Sequence, residues 1–491
     1  MKHIKIAIKC AVFLSILIVS LYFINKILES KYIIKNSRWP TTSSYNQFYR
    51  MEKDSIDVLF LGSSVVVNSF IPQEIYNDYG IRSYNLGSEQ QSLFISYYWL
   101  KEALRYQKPK VVVLDVLFMW DLHPESSVNM SEGLIRKSLD PMRWSSVKQE
   151  AVRSLCKLDN SNSEMSYYFT NLRYHSRWSD LKEYDFKPSM VVDNPLFGYA
   201  PIVGDGPDSY TAFFKPDDTK AIMEFQPFMQ EYLDKIVQLC KENDIRLIMI
   251  DMPGNGMHDG VNNAHVLYSK ENDVDYLNLC TQEYYDKIGG DLPKVNIIGH
   301  SNVLGAVRMS RFMGNLLHDF YGLQPVHDEQ YENSRRYYEH MLKNSSLFNI
   351  DDPAEYFNTI NDDDYAVFMA AKGDSSLTLN DKNVKDALRQ LGLTLSYEND
   401  PSSSYMAVII GGKVITEEVS SEQISYIGSI RDYNSIYSII SGNKKSGNLS
   451  SILIEGEEYS IDSVGLNVVV FDLVTQTVVD KAVFSGASII R

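Results

Sequence analysis

Three lysines, Lys2, Lys5 and Lys9, stand before an unbroken apolar run from Cys10 to Ile24, which ends at Asn25 and Lys26. Counting Ile6 to Ile8 as well, a helix here reaches about 20 residues, or roughly 30 Å at about 1.5 Å per residue, enough to cross a bilayer. The basic flank predicts a cytoplasmic N-terminus, a single pass through residues 6–25 and a chain whose bulk is extracytoplasmic. A cleavable signal peptide would close on small residues in an Ala-x-Ala pattern. Val19 to Glu29 is instead bulky and polar by turns, so an uncleaved anchor in the cell membrane of a bacterial-type envelope is expected.

The remaining length is too great for one ordinary core, and 491 residues predict two or three domains besides the anchor. A hydrophobic content of 44% with 22% charged residues is that of a globular chain. The net charge of −16 excludes a nucleic-acid binder, because phosphate contacts need clustered Lys and Arg that an acidic surface opposes. Cys10, Cys156, Cys240 and Cys280 lie far apart and lack the paired spacing of thiolate zinc sites, so neither a metal nor a cofactor is expected. A disulfide between Cys240 and Cys280 and a set of buried free thiols are both open readings.

After a juxtamembrane connector over residues 31–50, Ile56 to Leu61 has the length and apolarity of a buried parallel strand, and Gly62-Ser63-Ser64 ends it. A helix from Pro72 to Tyr79, a strand at Tyr84-Asn85-Leu86-Gly87, a helix from Leu93 to Tyr106 and a strand Val111 to Val116 continue a βαβ rhythm. The rhythm breaks over about 122–223, read as an insertion above the sheet. It resumes with a helix from Pro227 to Asn243, the strands Arg246 to Asp251 and Val274 to Leu279, and a helix from Leu304 to Tyr321. Residues 51–326 thus form one α/β domain, and 327–350 a solvated helical linker. Residues 351–491 form a small β-rich domain, with β-branched runs, a hairpin signal at Gly411-Gly412 and one helix from Lys382 to Leu391.

Ser64 lies just beyond the C-terminal end of a parallel strand, the edge where open α/β folds place their ligands. Gly62 permits a tight turn there, and a helix starting after it would aim backbone N–H groups at an oxyanion. The base that a serine nucleophile needs is supplied most simply by His300, in Gly299-His300-Ser301-Asn302 before the last helix. The plain reading of Gly-Ser-Ser is a β–α turn whose serine caps a helix. His258 either lines the site or lies on an exposed loop. Tyr167-Tyr168 and Tyr174-His175-Ser176-Arg177-Trp178 either stack on sugar rings or pack the insertion.

Phe60-Leu61-Gly62-Ser63-Ser64, Tyr84-Asn85-Leu86-Gly87 and His300-Ser301-Asn302-Val303-Leu304-Gly305-Ala306 together resemble blocks of the SGNH/GDSL hydrolase superfamily over about residues 50–325. The likeness is strongest to its envelope members, such as the D-alanyl-lipoteichoic acid transfer protein and alginate O-acetylation proteins. The resemblance implies a flavodoxin-like parallel sheet of the SGNH type. It also implies Ser64 as nucleophile, His300 as base, and an oxyanion held by N–H groups of Ser64 and Gly87. Asn302, His175, Trp178 and His258 are substrate-side candidates from their own positions in the sequence. Two positions depart from the pattern. Ile297 stands where the family's acid lies three residues before the histidine, with Asn296 and Asp291 as substitutes by spacing, and Val113-Leu114-Asp115-Val116 does not continue into a Gly-x-Asn turn.

The last domain, about 352–487, resembles the interleukin-like EMT-inducer (PANDER-like) domain. The likeness rests on Asp362-Asp363-Asp364-Tyr365-Ala366-Val367, Lys372-Gly373-Asp374-Ser375 and Gly465-Leu466-Asn467-Val468-Val469-Val470-Phe471-Asp472. It implies carbohydrate or partner binding. The combined expectation is an anchored esterase or O-acyltransferase acting on acetyl esters of a surface polysaccharide or cell-wall polymer, with a membrane-bound O-acyltransferase as partner. Its rival is a catalytically degenerate, glycan-binding scaffold.

Overall fold

In the first half of the chain, apolar side chains alternate between two destinations, and this alternation assembles a three-layer α/β unit. Strands β1 (Val58–Gly62), β2 (Ser83–Gly87), β3 (Val111–Asp115), β4 (Arg246–Asp251) and β5 (Asp275–Asn278) form one parallel sheet in the order β2-β1-β3-β4-β5. Leu59, Leu61, Val112, Leu114, Leu247 and Met249 face one layer, which holds the helices Leu93–Ala103 and Pro227–Glu242. Val58, Phe60, Val113, Ile248 and Ile250 face the other, which holds Ser64–Ser69, Pro72–Tyr79 and Val303–Asn315. Side chains in a strand repeat every second residue, so a strand buried on both faces reads as a continuous apolar run. The computed structural model describes residues 2–28, 43–119, 128–159, 163–186, 194–204, 214–253, 257–289, 296–297, 300–394, 403–430, 435–486 and 488–491.

The chain divides into two compact units, the first running to Glu332 and the second from Asn333 to Arg491. The first begins with the helix Lys2–Leu28, whose apolar side chains are exposed; among the described residues it is the one helix long and apolar enough to cross a membrane. The insertion is partly core. Ile135, Leu139, Val147, Val152 and Leu155 from its helices Glu132–Leu139 and Ser146–Leu158 pack in the same layer as Trp99, whose indole N–H donates to the Ser138 carbonyl at 3.0 Å. Residues 194–204 run as irregular chain along the sheet edge: Asn85 N–H donates to Phe197 O, and Ala200 N–H to Val67 O. Gly198 allows this approach, since a Cβ there would lie 2.1 Å from Asn85 O.

Cys240 and Cys280 are buried free thiols, one of the two open readings, and form no disulfide. Two expectations change. The helix Glu329–Leu347 is not a solvated linker. Its polar composition hides two buried rings, Tyr331 and Tyr338, and Tyr331 stacks on Phe197 and donates to Ser83 O at 2.6 Å. The helix expected to run to Tyr321 ends at Asn315 and widens into a π turn over Leu316–Phe320.

The second unit is a curled, mostly antiparallel sheet. Its central strand β8 is counted after the short pair β6 (Asn296–Ile297) and β7 (His300–Ser301) of the first unit, and spans Tyr365–Lys372. Val367, Met369 and Ala371 face the helices Pro353–Thr359 and Lys382–Gln390, while Ala366, Phe368 and Ala370 face Tyr437, Ile439 and Ile452. The Gly411-Gly412 hairpin has φ of 58° and 67°, the left-handed pair that a two-residue turn of type I′ demands.

Candidate active site

The strand order places a switch point between β1 and β3, where successive connections leave in opposite directions, the place at which open α/β sheets bind ligands along their C-terminal edge. Gly62 ends β1 with φ of +149°, and a Cβ on it would lie 2.4 Å from Asp115 Cβ at the end of β3. Only glycine lets the two strand ends come this close. Ser63 follows in extended conformation and is held from below: its hydroxyl donates to Asp115 Oδ2 at 2.6 Å, and its N–H to the same oxygen at 3.3 Å. Ser64 is then the first residue of the helix Ser64–Ser69, where a backbone N–H has no acceptor within the helix.

Ser64 Oγ lies 2.8 Å from His300 Nε2, within hydrogen-bond reach for proton transfer. Both residues are half-buried, so a ligand can reach the pair. Further contacts fix where the imidazole sits. Ser301 Oγ meets Ser69 Oγ at 2.9 Å, tying β7 to the far end of the Ser64 helix. Asn302 caps the helix Val303–Asn315 by accepting from Gly305 N–H at 2.9 Å, and its amide donates to Gly204 O at 2.7 Å. The edge segment 194–204 thereby braces the loop that carries the histidine, and Val303 N–H donates to Ile202 O to complete the brace.

Gly87 pairs with Gly62 across β1 and β2. A Cβ on Gly87 would lie 2.5 Å from Gly62 O and 3.0 Å from Val67 Cγ2, so a glycine is what brings the β2 backbone up to the Ser64 turn. Its carbonyl is occupied by the Ser44 hydroxyl at 2.9 Å. Ser64, Gly87, His300 and Asn302 therefore gather at one edge of the sheet. His258 is exposed and precedes the helix Asp259–Asn272. His175 and Trp178 are exposed on the insertion, where the short segments Asn171–Tyr174 and His175–Asp180 touch the membrane-length helix. Among the described contacts, none ties these three to Ser64 or His300. Tyr167 is buried under the Arg136 guanidinium, 4.1 Å from its ring centre.

Ile297 pairs with His300 across the short β6–β7 hairpin, and Asn296 with Ser301. Asp291 lies outside the described residues. Two buried carboxylates, Asp115 and Asp251, stand beneath the site. Burial pushes the Asp115 carboxyl up to about 6, helped by the neighbouring charge of Asp251 and opposed by the bonds from Ser63 and Leu117. Asp251, ending β4, meets His265 Nδ1 at 2.7 Å and accepts from Tyr276 OH at 2.6 Å. The available signal was an acidic residue closing each of two apolar strands.

No family model matches the sequence, and no curated protein does. Among solved structures, the chain is similar to a GDSL-like lipase from Bacteroides thetaiotaomicron at 11% identity and a TM-score of 0.26, over 57% of this chain and 99% of that one.

Proposed function

We propose that this chain is a membrane-anchored acyl-ester hydrolase or O-acyltransferase that works outside the cytoplasm on acetyl esters of a surface polysaccharide or cell-wall polymer. The observation that carries this reading is the 2.8 Å contact between Ser64 Oγ and His300 Nε2 at the sheet's switch point. Ser64 Oγ attacks the ester carbonyl carbon while His300 Nε2 takes the hydroxyl proton, and backbone N–H groups of Ser64 and Gly87 receive the charge on the carbonyl oxygen. The imidazolium returns the proton to the leaving sugar oxygen, and an acyl-Ser64 ester remains. Water then completes hydrolysis, or a second sugar hydroxyl completes transfer, with His300 again taking the proton of the attacking group. A transfer cycle requires an acyl donor delivered across the membrane, which is where a membrane-bound O-acyltransferase partner fits. The second unit would bind glycan or a partner.

A second reading, a non-catalytic glycan-binding scaffold, is favoured by one specific feature: isoleucine at 297 in the acid's usual place. An imidazole without an orienting acid loses orders of magnitude in acyl transfer. Hydrolysis of nitrophenyl acetate by the full chain in detergent separates the two. The enzyme reading predicts that Ser64→Ala and His300→Ala each lower the rate by about 10³-fold or more. A wild-type rate equal to that of both variants supports the scaffold.

A further inference from the structure

The insertion carries an apolar surface that the Ser64–His300 chemistry does not use. Phe169 is 55% exposed, Leu172 52%, Trp178 73% and Phe186 64%, within eighteen residues of one another, while most of the other large rings among the described residues of this unit's core are buried. Single exposed apolar side chains are ordinary, but four large ones on short, irregular elements are not. Their position is set by the membrane-length helix. Asn25 Oδ1, in its last turn, accepts from Thr170 Oγ1 at 3.0 Å and from Asn171 N–H at 2.9 Å. Arg177 donates to Leu28 O at the helix's end, at 2.8 Å. The segments Asn171–Tyr174, His175–Asp180 and Glu183–Phe186 all touch this helix.

On the reading that Lys2–Leu28 crosses a bilayer with its basic end inside, residues 25 to 28 emerge at the outer headgroup layer, and whatever is bonded to them sits at that depth. We infer that the 165–186 part of the insertion is an interfacial membrane contact, with Phe169, Leu172, Trp178 and Phe186 immersed among lipid headgroups and upper acyl chains of the outer leaflet. Rings of this kind favour that layer because the apolar body leaves water while an indole N–H still finds a partner. Apolar burial carries the attachment, because the nearby cations already have acidic partners: Arg173 with Glu132, Arg177 with Asp185 and Lys182 with Asp180. The consequence for the proposed chemistry is that the Ser64 unit is held against the membrane by two elements, the anchor and the insertion, and so works on groups close to the outer surface. Trp178 then serves lipid rather than a sugar ring.

The test uses the full chain reconstituted into phosphatidylcholine vesicles, either plain or brominated on the acyl chains. The emission difference between wild type and Trp178→Phe isolates one indole among five. That difference is expected to fall about threefold or more in brominated vesicles relative to plain ones, as for an indole at the interface, and to stay so when salt is raised. An equal difference emission in the two vesicle types overturns the inference. Flotation of the same samples keeps the two claims apart. A chain that floats with an unquenched Trp178 retains the anchor and loses the insertion contact, whereas a chain that does not float loses both.

Discussion

At the scale of single residues, the site depends on side chains that are absent as much as on those present. Gly62 and Gly87 have no Cβ where one would strike Asp115 and the Gly62 carbonyl, and this lets two strand ends and the Ser64 turn converge. Asp115 is the least expected participant. In the sequence it is only the acid that ends an apolar run, at a place where the resemblance implies an asparagine turn. Its role came from geometry that sequence cannot carry, namely the adjacency of β1 and β3. Burial raises the folded carboxyl to about 6 from an ordinary value of 3.8. Between these values the folded chain binds more protons than the unfolded one. Stability contributed by this proton is therefore full below pH 3.8, falls as pH rises and levels off above about 6. At ~1.4 kcal/mol per unit, the loss across that window is about 3 kcal/mol. Asp115→Asn should flatten it, as read by urea unfolding at about pH 4 and about pH 6.5; an unchanged slope would remove Asp115 as its source.

At the scale of elements, regular structure was readable and irregular structure was not. The runs ending in Asp251 and Gly62, the helix Pro72–Tyr79 and the Gly-Gly hairpin carry their own period or turn chemistry, so local sequence specifies them. The path of residues 194–204 has no period, and its place along β2 depends on Gly198 and on backbone bonds from Asn85 and Ala200. The helix Glu329–Leu347 misled for the opposite reason, because its polar surface outnumbers the two buried tyrosines that hold it. Asn302 joins one legible and one illegible element, capping Val303–Asn315 and bonding Gly204 O. Asn302→Ala should cost about 1–2 kcal/mol of unfolding free energy. Asn302→Asp keeps the cap acceptor but not the amide donor, and should recover about half of that in urea titrations. Equal losses in the two variants would mean that the cap contributes nothing.

At the scale of the molecule, the sequence declares its three parts by composition alone: an apolar helix with a basic flank, a βαβ region and a β-branched tail. The structure places these as one membrane-length helix, a parallel α/β unit and a curled sheet. The pairing of Ser64 with His300 was legible at a separation of 236 residues because both flank recognisable turns. What orients His300 was not legible, since Ile297 stands where the resemblance puts the acid and Asp291, a substitute by spacing, lies outside the described residues. The central claim is that Ser64 is a nucleophile activated by His300, and covalent labelling tests it without assuming a substrate. Treated with a fluorophosphonate, the full chain should acquire one adduct on Ser64 by peptide mass mapping, with the rate reduced about 100-fold or more in His300→Ala. An unlabelled Ser64, or equal labelling rates with and without the imidazole, would contradict the account.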